Sequence, residues 1–514
     1  MSEERYKLHP ITIFLNFLKG AKELILPFAF IFGVNLFTGD GFSLDWQTMI
    51  PLAIAAVVLV FPLITGFIKW KRFVYWFEEG ELRIEYGLFV KKKRYIPFER
   101  IQSLNYIEGI FHRPFGLVKV KVETAGSGKE GEAEAELTAI PRADADRIAE
   151  KIEEAKSGGA ILVEPLLTEE GETVPQQAPP VKVEAVTKYR MSNKDLVVLA
   201  TTSGGIGVVI SAVALFLSQF ADLIPYEKIY DEVMVFLKFG YMFIALVIFL
   251  GLLLAWGISV LMTFLANYQF TIQTDEDHIY ITRGLLEKKK ITVPFNRIQG
   301  INITQNPLRQ LFNYGVVTVE SAGGGGSDKD EKIKLLPLVK KPEMLAILTD
   351  LFPEMEWQAE LVKAPKRGLH FYYRLDFIWM VPLIGGLSYF LFPYGLFSLL
   401  VLPLILALSV WQHRTVGYAL TGKQLTMQFR TFSKHTYFLL RKRVQAVEVT
   451  QSIFQRRKSL ASIQATIMSG MLGMTARINH MEVEDAGKIL AWYEPSNNSQ
   501  TIETTEKGSP EISG

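Results

Sequence analysis

Hydrophobic residues along the 514-residue chain are gathered in long uncharged runs rather than spread evenly. Three of these runs, Gln47 to Ile68, Leu196 to Ala221 and Phe239 to Thr274, can each supply the ~20 apolar residues that a membrane-spanning helix needs. A fourth run, Phe377 to Gln412, is divided by the turn sequence Phe392-Pro393-Tyr394-Gly395. The pattern therefore predicts membrane helices rather than the core helices of a soluble protein.

Together with a weaker apolar stretch, Leu24 to Gly39, these runs predict six transmembrane helices in three hairpins. The predicted pairs are 22–38 with 47–68, 196–220 with 236–265, and 375–392 with 395–412. The loops inside the first two hairpins, Thr38 to Thr48 and Asp222 to Glu232, are mostly acidic, whereas Lys and Arg flank the outer ends. We therefore predict a multi-pass protein of the cell membrane with both termini and all large segments in the cytoplasm.

After each predicted hairpin the pattern changes to an alternation of apolar and polar residues, as in Leu82, Ile84 and Tyr86. This period of two is typical of half-buried antiparallel strands. Each stretch of strands is followed by a helical pattern, so the chain is predicted to be α+β, with a strand-rich domain after each hairpin. The third of these domains has lost several residues that the first two share.

The strand-rich unit occurs three times, with closely matched spacing. Gly87 to Arg100 and Gly284 to Arg297 are each 13 residues apart, and each arginine is followed by a second glycine at a distance of 26. The recurring residues are Pro97, Arg100, Gln102 and Gly126 in the first copy, Pro294, Arg297, Gln299 and Gly323 in the second, and Arg443, Gln445 and Gly470 in the third.

These motifs resemble the bacterial PH-like (bPH2) domain of the YdbS/YdbT-type membrane proteins, and the whole chain resembles the three-copy members. The resemblance implies a β-barrel with a C-terminal helix on each transmembrane hairpin, in a bacterial cell membrane. It also implies a link to protection against membrane-active bacteriocins, with a one-copy YdbS-type relative as partner. The three binding-type domains themselves favour self-association as the alternative.

The predicted boundaries follow the repeats. They are 1–72 for the N-terminal segment and first hairpin, 73–156 for the first PH-like domain, 157–194 for a disordered Pro/Glu linker, 195–266 for the second hairpin, 267–356 for the second PH-like domain, 357–412 for a basic linker and the third hairpin, 413–495 for the third, degenerate PH-like domain, and 496–514 for a polar tail.

The recurring Arg and Gln residues have two interpretations. An arginine fork could bind a carboxylate, a lipid phosphate or a partner chain. Alternatively, Arg and Gln fix the end of a strand in every copy, and recurrence in all three copies favours this structural role.

Basic clusters are the other candidates, for contact with lipid or a partner. They are Lys91, Lys92, Lys93 and Arg94 in the first copy, Lys288, Lys289 and Lys290 in the second, and Arg456, Arg457 and Lys458 in the third. Lysines near a membrane attract anionic lipid at ~1 kcal/mol each. Hairpin lysines also protect strand edges from unwanted pairing and add solubility, so both interpretations stay open.

Composition narrows the chemistry. The chain has no Cys and a formal net charge of +2, which argues against thiol chemistry and against nucleic acid as a partner. Its seven histidines are scattered without ligand spacing, and no catalytic constellation is apparent. We therefore predict no enzyme activity, no metal and no cofactor.

The leading hypothesis is a non-enzymatic membrane scaffold whose three cytoplasmic PH-like domains bind protein partners and help to protect the envelope against membrane-active peptides. Two alternatives belong to other classes. They are a transporter, channel or accessory export subunit, and a sensor of anionic lipid.

Overall fold

The computed structural model describes residues 5–20, 60–124, 134–158, 185–204, 211, 241–322, 332–469 and 473–494. Its strands are β1 Val74–Glu78, β2 Glu81–Tyr86, β3 Lys92–Pro97, β4 Ile101–Glu108, β5 Leu117–Thr124, β6 Ala135–Pro141, β7 Val186–Arg190, β8 Thr271–Thr274, β9 His278–Arg283, β10 Lys288–Pro294, β11 Ile298–Gln305, β12 Tyr314–Ser321, β13 Ile333–Lys340, β14 Val362–Lys363, β15 Gly417–Thr421, β16 Gln424–Arg430, β17 Lys434–Leu440, β18 Val444–Thr450, β19 Leu460–Ile467 and β20 Met474–Glu482.

Helices lie between these strands and after each copy. They are Ile11–Gly20, 60–72, Arg142–Gly158, Asn193–Thr202, Tyr241–Asn267, Pro307–Leu311, Lys341–Leu351, Leu369–Phe390, Val401–Thr415, Ile453–Arg456 and Val483–Tyr493, and the 3-10 helix Tyr394–Leu400 leads directly into Val401–Thr415. The described residues up to Arg297 form one compact unit and those from Ile298 onward form another, so the division falls inside the second copy.

In the first copy, β1 to β3 and β4 to β6 enclose a single hydrophobic core, which the helix Arg142–Gly158 completes. Alternate residues such as Leu82 and Ile84 of β2 and Val120 of β5 are buried there, together with Ile148 of the helix. Removing a Leu or Ile side chain of this kind from water contributes ~2 kcal/mol to stability. The period-two pattern thus places one face of each strand in the core.

The third copy repeats this arrangement. Leu425 and Leu439, from the first half of its strands, share a core with Ile463 and Ile478 from the second half and with Ile489 of the helix Val483–Tyr493. The loss of several signature residues has therefore not removed the alternation that builds the core.

The sheets do not end where the sequence repeats end. One seven-stranded sheet has the order β6-β5-β4-β10-β9-β8-β7, and a second has the order β13-β12-β11-β17-β16-β15-β14. Each combines the last three strands of one copy with the first strands of the next. Three-stranded sheets, β1-β2-β3 and β18-β19-β20, remain at the two ends of the repeat series. The resemblance implied a β-barrel on each hairpin, and the structure joins neighbouring copies through shared sheets.

A short extended segment precedes each apolar stretch and pairs with the first strand that follows it. Tyr6 forms an antiparallel bridge with Tyr75, β7 pairs with β8, and Val362 of β14 pairs with Tyr418 of β15. The chain thus enters and leaves each apolar segment at adjacent positions.

The prediction of six transmembrane helices in three hairpins is wrong. Within the described residues, two helices are long and apolar enough to cross a membrane, Ala245–Asn267 and Tyr394–Thr415. The predicted span 375–392 corresponds to the helix Leu369–Phe390, but Arg374 and Asp376 confine its apolar part to Asp376–Phe390, which is short.

The first three predicted spans are mostly outside the described residues. The predicted span 22–38, residues 47–59 of the second span, most of 203–220 and residues 236–240 of the fourth are not described. The described remainder of the second and third predicted spans, 60–68 and 196–202, is helical, but neither stretch is a candidate span within the described residues.

Candidate functional site

Neighbouring copies join at two places in the described residues. These two places have the most distinctive strand pairing and polar side-chain contacts. We call the pairing of β4 with β10 the first seam and the pairing of β11 with β17 the second seam. The first seam pairs three residues in register, from Lys288 opposite Glu108 to Lys290 opposite Tyr106. The second seam pairs six, from Gly300 opposite Leu439 to Gln305 opposite Lys434.

Both seams have the same register. Lys288 and Lys434 each lie nine residues before the signature arginine of their copy, and Glu108 and Gln305 each lie eight residues after theirs. The pair Lys288–Glu108 in the first seam is therefore equivalent to Lys434–Gln305 in the second. Antiparallel pairing in this register is a property of the repeat.

Beyond the three paired residues of the first seam, side chains form the hydrogen bonds between β4 and β10. Asn105, which is 1% exposed, accepts a hydrogen bond from the backbone N–H of Thr292 at 3.0 Å and donates to Glu123 at 2.7 Å. Thr292 Oγ1 also donates to the carbonyl of Leu104 at 3.1 Å. Asn105 therefore links β10 of the second copy to β5 of the first.

Glu123 is the centre of this polar network. It accepts hydrogen bonds from Asn105 and from Ser103 at 2.8 Å, and its carboxylate lies 3.7 Å from the guanidinium of Arg297 in the second copy. Burial raises the pKa of the Glu123 carboxyl, and the hydrogen bond from Ser103 and the charge of Arg297 offset part of that effect. The same burial lowers the pKa of Arg297. Seam formation thus places a carboxylate and its countercharge together away from water.

The second seam uses the backbone more than side chains. Asn302, equivalent to Asn105, is 3% exposed, and its Oδ1 has no hydrogen-bond partner among the described residues. The first seam's Ser103 is replaced by Gly300, where an added Cβ would lie 2.9 Å from side-chain atoms of Ile467 and Leu439. Close packing and a continuous ladder join these strands.

Charge also differs at the second seam. Lys434 lies near Lys341, Lys363 and Arg430, and burial with these like charges lowers its pKa to about 8. Arg430 stacks on Trp411 at 3.8 Å and donates to Gln310 at 2.5 Å, so part of this basic cluster is held by packing.

The structure gives the three signature arginines different surroundings. Each ends a one-turn 3-10 helix, Phe98–Arg100, Phe295–Arg297 or Arg441–Arg443, which joins the third and fourth strands of its copy. Arg297 is buried, whereas Arg100 is exposed and Arg443 is half-buried.

The other signature residues support the same turn. Pro97 and Pro294 end β3 and β10, where proline's fixed φ favours the turn and the missing N–H removes a ladder bond. Gln299 is buried, Gln445 is exposed, and Gln102 is half-buried with an unpartnered Oε1. Gly126, Gly323 and Gly470 lie outside the described residues.

The lysine runs are not equivalent either. In the first copy Lys91 and Lys93 pair with Glu85 at 2.6 and 3.2 Å, and their hydrogen bonds and charges lower the pKa of that buried carboxyl. Lys92 is exposed, and Arg94 donates to the carbonyl of Glu134.

In the second copy the lysines belong to a seam strand. Lys288, Lys289 and Lys290 pair with β4, and the ammonium of Lys290 lies 4.8 Å from the centre of the Tyr280 ring. Burial lowers the pKa of Lys290. Two of the three lysines are half-buried, so this run is not a freely solvated hairpin.

The third basic cluster is open to solvent. Arg456, Arg457 and Lys458 are all exposed, and only Gln455 separates them from the exposed apolar residues Ile453 and Phe454. Arg374, on the helix Leu369–Phe390, lies 4.4 Å from the ring centre of Phe454 and ties this turn to an apolar helix.

Exposed apolar residues recur in two loops of every copy, and sequence reasoning missed them. We call them the apolar loops. In the first, second and third copies respectively, the hairpin after the second strand exposes Phe89 and Val90, Leu285 and Leu286, and Phe432. The connection after the fourth strand exposes, in the same order of copies, Phe111 and Phe115; Leu308, Leu311 and Phe312; and Ile453 and Phe454. Phe111, Leu308 and Phe454 stand at equivalent positions of the repeat, and this recurrence was the available signal.

In each copy, the apolar loop after the second strand is hydrogen-bonded to the end of an apolar helix. Arg72 donates to the carbonyl of Leu88 at 2.6 Å, the N–H of Leu285 donates to Leu265 at 2.8 Å, and Gln412 donates to Thr431 at 3.0 Å. The loops therefore lie where each apolar helix meets its strand-rich domain.

Repeated strand-rich domains, shared sheets and apolar helices define a class of membrane-associated repeat protein. The chain belongs to the Bacterial PH domain family, whose model matches residues 26–156, 210–354 and 380–497. The resemblance inferred from the motifs is thus confirmed. The chain is 35% identical over 499 residues to the UPF0699 transmembrane protein YdbT of Bacillus subtilis (strain 168), covering 96% of this chain and 99% of that protein. No solved structure matches the chain.

Among the described residues, no group of three or more His, Asp or Glu side chains could hold a metal ion. The polar side chains that the structure brings together are instead those of the first seam. Its arrangement, a carboxylate saturated by Ser103, Asn105 and Arg297, is that of a structural joint.

Proposed function

We propose that this protein is a non-enzymatic membrane scaffold that holds three PH-like repeats against the cytoplasmic face of a bacterial cell membrane and presents their surfaces to protein partners. Protection of the envelope against membrane-active peptides is the proposed outcome. The name of the Bacillus subtilis relative, a transmembrane protein, and the apolar helices of this chain support the membrane location.

The observation that carries the proposal is the recurrence of the apolar loops beside the apolar helices. Phe89 is 85% exposed and Leu311 is 74% exposed. Exposed aromatic and aliphatic groups of this kind gain free energy when they enter the boundary between headgroups and acyl chains. The same loops in three copies would fix each strand-rich domain at the membrane surface.

Entry and exit of the chain at adjacent positions supports a common side of the membrane for the flanks of each apolar segment. The Tyr6–Tyr75 bridge brings together the residues before and after the first apolar segment, and β7 and β8 do so for the second. The basic residues that flank these segments favour the cytoplasmic side.

The scaffold proposal can be tested in two measurements on the full chain. Purification in a mild detergent is expected to recover a partner, and a deletion strain is expected to be more sensitive to pore-forming peptides, with sensitivity restored by the wild-type gene. Recovery of the protein alone, together with unchanged peptide sensitivity, would contradict the proposal.

The apolar loops supply a sharper variant. Phe89→Ser with Phe111→Ser should weaken protection, whereas the matched control Phe77→Tyr with Tyr95→Phe, in the same copy but away from both loops, should preserve it. Similar amounts of each variant in the membrane fraction establish that the loss does not come from failed insertion.

An anionic-lipid sensor is the second candidate, because Arg456, Arg457 and Lys458 are exposed next to Ile453 and Phe454. Replacing these three basic residues with Glu would then reduce crosslinking of the full chain to a photoreactive anionic lipid. A change of Arg147 to Glu on the exposed face of the helix Arg142–Gly158 serves as the control. Equal crosslinking by both variants would remove this candidate.

A further inference from the structure

Two strand edges at the ends of the repeat series have no strand partner among the described strands. β3 is the outer strand of the sheet β1-β2-β3, and β18 is the outer strand of the sheet β18-β19-β20. An edge strand of this kind presents unpaired backbone N–H and C=O groups and is a template for another strand.

Both edges are equivalents of strands that form seams elsewhere in the chain. β3 corresponds to β10 and β17, which each accept the preceding copy, and β18 corresponds to β4 and β11, which each accept the following copy. Among the described strands, no copy precedes the first and none follows the third. The open edges are therefore complementary halves of one more seam.

Residues of β18 are exposed where the equivalent residues of β4 and β11 are buried by a partner strand. Glu448 is exposed, whereas the equivalent residues in the two formed seams, Asn105 and Asn302, are 1% and 3% exposed. Ala446 is likewise exposed, whereas its equivalents Ser103 and Gly300 are buried.

The common register of the two seams specifies how the open edges would pair. Carrying the pair Asn302–Tyr437 to the equivalent positions places Glu448 opposite Arg94. Opposite charges directly across an antiparallel pair stabilise it. The lysines at the start of β3 do not prevent pairing, because the equivalent Lys288 and Lys290 pair with β4.

We propose that β18 of one copy of this protein pairs with β3 of a second copy, with Glu448 opposite Arg94, so that the shared sheets continue from chain to chain. A second copy is the occupant because this chain carries both halves of the seam in matching register. The contact joins two different surfaces, so repetition of it produces a ring or an open chain of molecules. The inference rests on the scaffold function proposed above and names a partner for it.

Cysteine crosslinking tests the pairing, because the natural chain contains no Cys. Two differently tagged full-length copies are expressed together, one with Arg94→Cys and the other with Glu448→Cys, and membranes are oxidised. We expect a disulfide-linked species carrying both tags, at least tenfold more abundant than with the control pair Arg94→Cys and Thr450→Cys. The control residue lies on the same face but two positions further along, beyond the ~7 Å between Cα atoms that a disulfide tolerates.

Charge reversal provides a second measurement without oxidation. Arg94→Glu or Glu448→Arg in all copies should reduce co-purification of the two tags several-fold, and the two changes together should restore it. Arg147→Glu, on an exposed helix face, should leave co-purification unchanged.

Absence of the mixed-tag species, equal yields from both cysteine pairs, or a crosslink to a different protein would overturn the inference. So would a disulfide that forms only when both cysteines are in one chain. If wild-type protection against pore-forming peptides persists in these cases, the scaffold function stands while the self-pairing fails.

Discussion

The two seams join equivalent strands in the same register but are stabilised by different groups. The first has three paired residues in its ladder and a buried network around Glu123, Asn105 and Arg297. The second has six paired residues, close packing around Gly300 and a cluster of like basic charges near Lys434. The repeat thus fixes which strands meet, while the side chains that stabilise the joint have diverged.

This difference shows where each seam is vulnerable. A buried carboxylate and its countercharge stabilise only as a set, because a charge that loses its partner stays away from water. A continuous backbone ladder depends less on any single side chain. We therefore expect equivalent substitutions in the two seams to have unequal effects.

The largest effect is expected for Arg297→Ala, which leaves the buried Glu123 without its countercharge. Loss of one partner of a buried pair should lower the free energy of unfolding by ~3 kcal/mol. Thermal unfolding in detergent measures the change. Arg100→Ala is the control, since Arg100 has the same motif position but is exposed, and it should change the stability by less than ~0.5 kcal/mol. Equal losses in both variants would contradict the role assigned to the Glu123 network.

A single substitution made at equivalent positions compares the seams directly. Asn105→Leu removes the hydrogen bonds to Thr292 and Glu123 and should cost ~2 kcal/mol. Asn302→Leu replaces a buried amide whose Oδ1 has no described partner, so it should be neutral or slightly stabilising. Hydrogen exchange of the β10 and β17 amides would locate each effect. Greater damage from the Asn302 variant would reverse the comparison.

The smallest expected effect is a difference in pH dependence. The pKa of Glu123 is raised in the folded protein, so its contribution to stability falls as pH increases from about its ordinary value of 4.5. The pKa of Lys434 is lowered from 10.5 to about 8, so its penalty is fully present below pH 8 and stability rises as pH increases from 8 to 10.5.

Variants separate these two contributions. Glu123→Gln should remove the acidic-side slope, and Lys434→Met should remove the basic-side slope. Melting temperatures of wild type and both variants across pH provide the measurement. An unchanged slope in Lys434→Met would show that the basic cluster stays solvated.

Sequence reasoning recovered the family, the three copies and the strand alternation, because each depends on local spacing. Gly87, Arg100 and their equivalents recur at fixed distances, and Leu82 and Ile84 alternate with polar residues whatever lies across the sheet. It misjudged the membrane segments because a long uncharged run is necessary but not sufficient for a spanning helix. The stretch 375–392 contains Asp376 and ends at a turn, which leaves its apolar helix short.

The candidate residues show the same limit. Lys91 and Lys288 occupy equivalent positions in the sequence, yet Lys91 pairs with Glu85 in its own copy and Lys288 pairs across a seam with Glu108. Arg100 and Arg297 share one motif, but only Arg297 is buried. Sequence spacing identified the positions, whereas the roles of Lys288 and Arg297 depend on residues that lie well over a hundred positions away.

The sequence by itself determined the repeat, its period-two strands, its apolar segments and the absence of thiol chemistry, because these follow from the order and type of neighbouring residues. Only the tertiary structure decided that the copies share sheets, that Glu123 and Arg297 meet across a seam, and that β3 and β18 keep open edges. Strand pairing between copies is set by backbone hydrogen bonds, which every residue except proline can donate, and so it leaves little trace in residue identity.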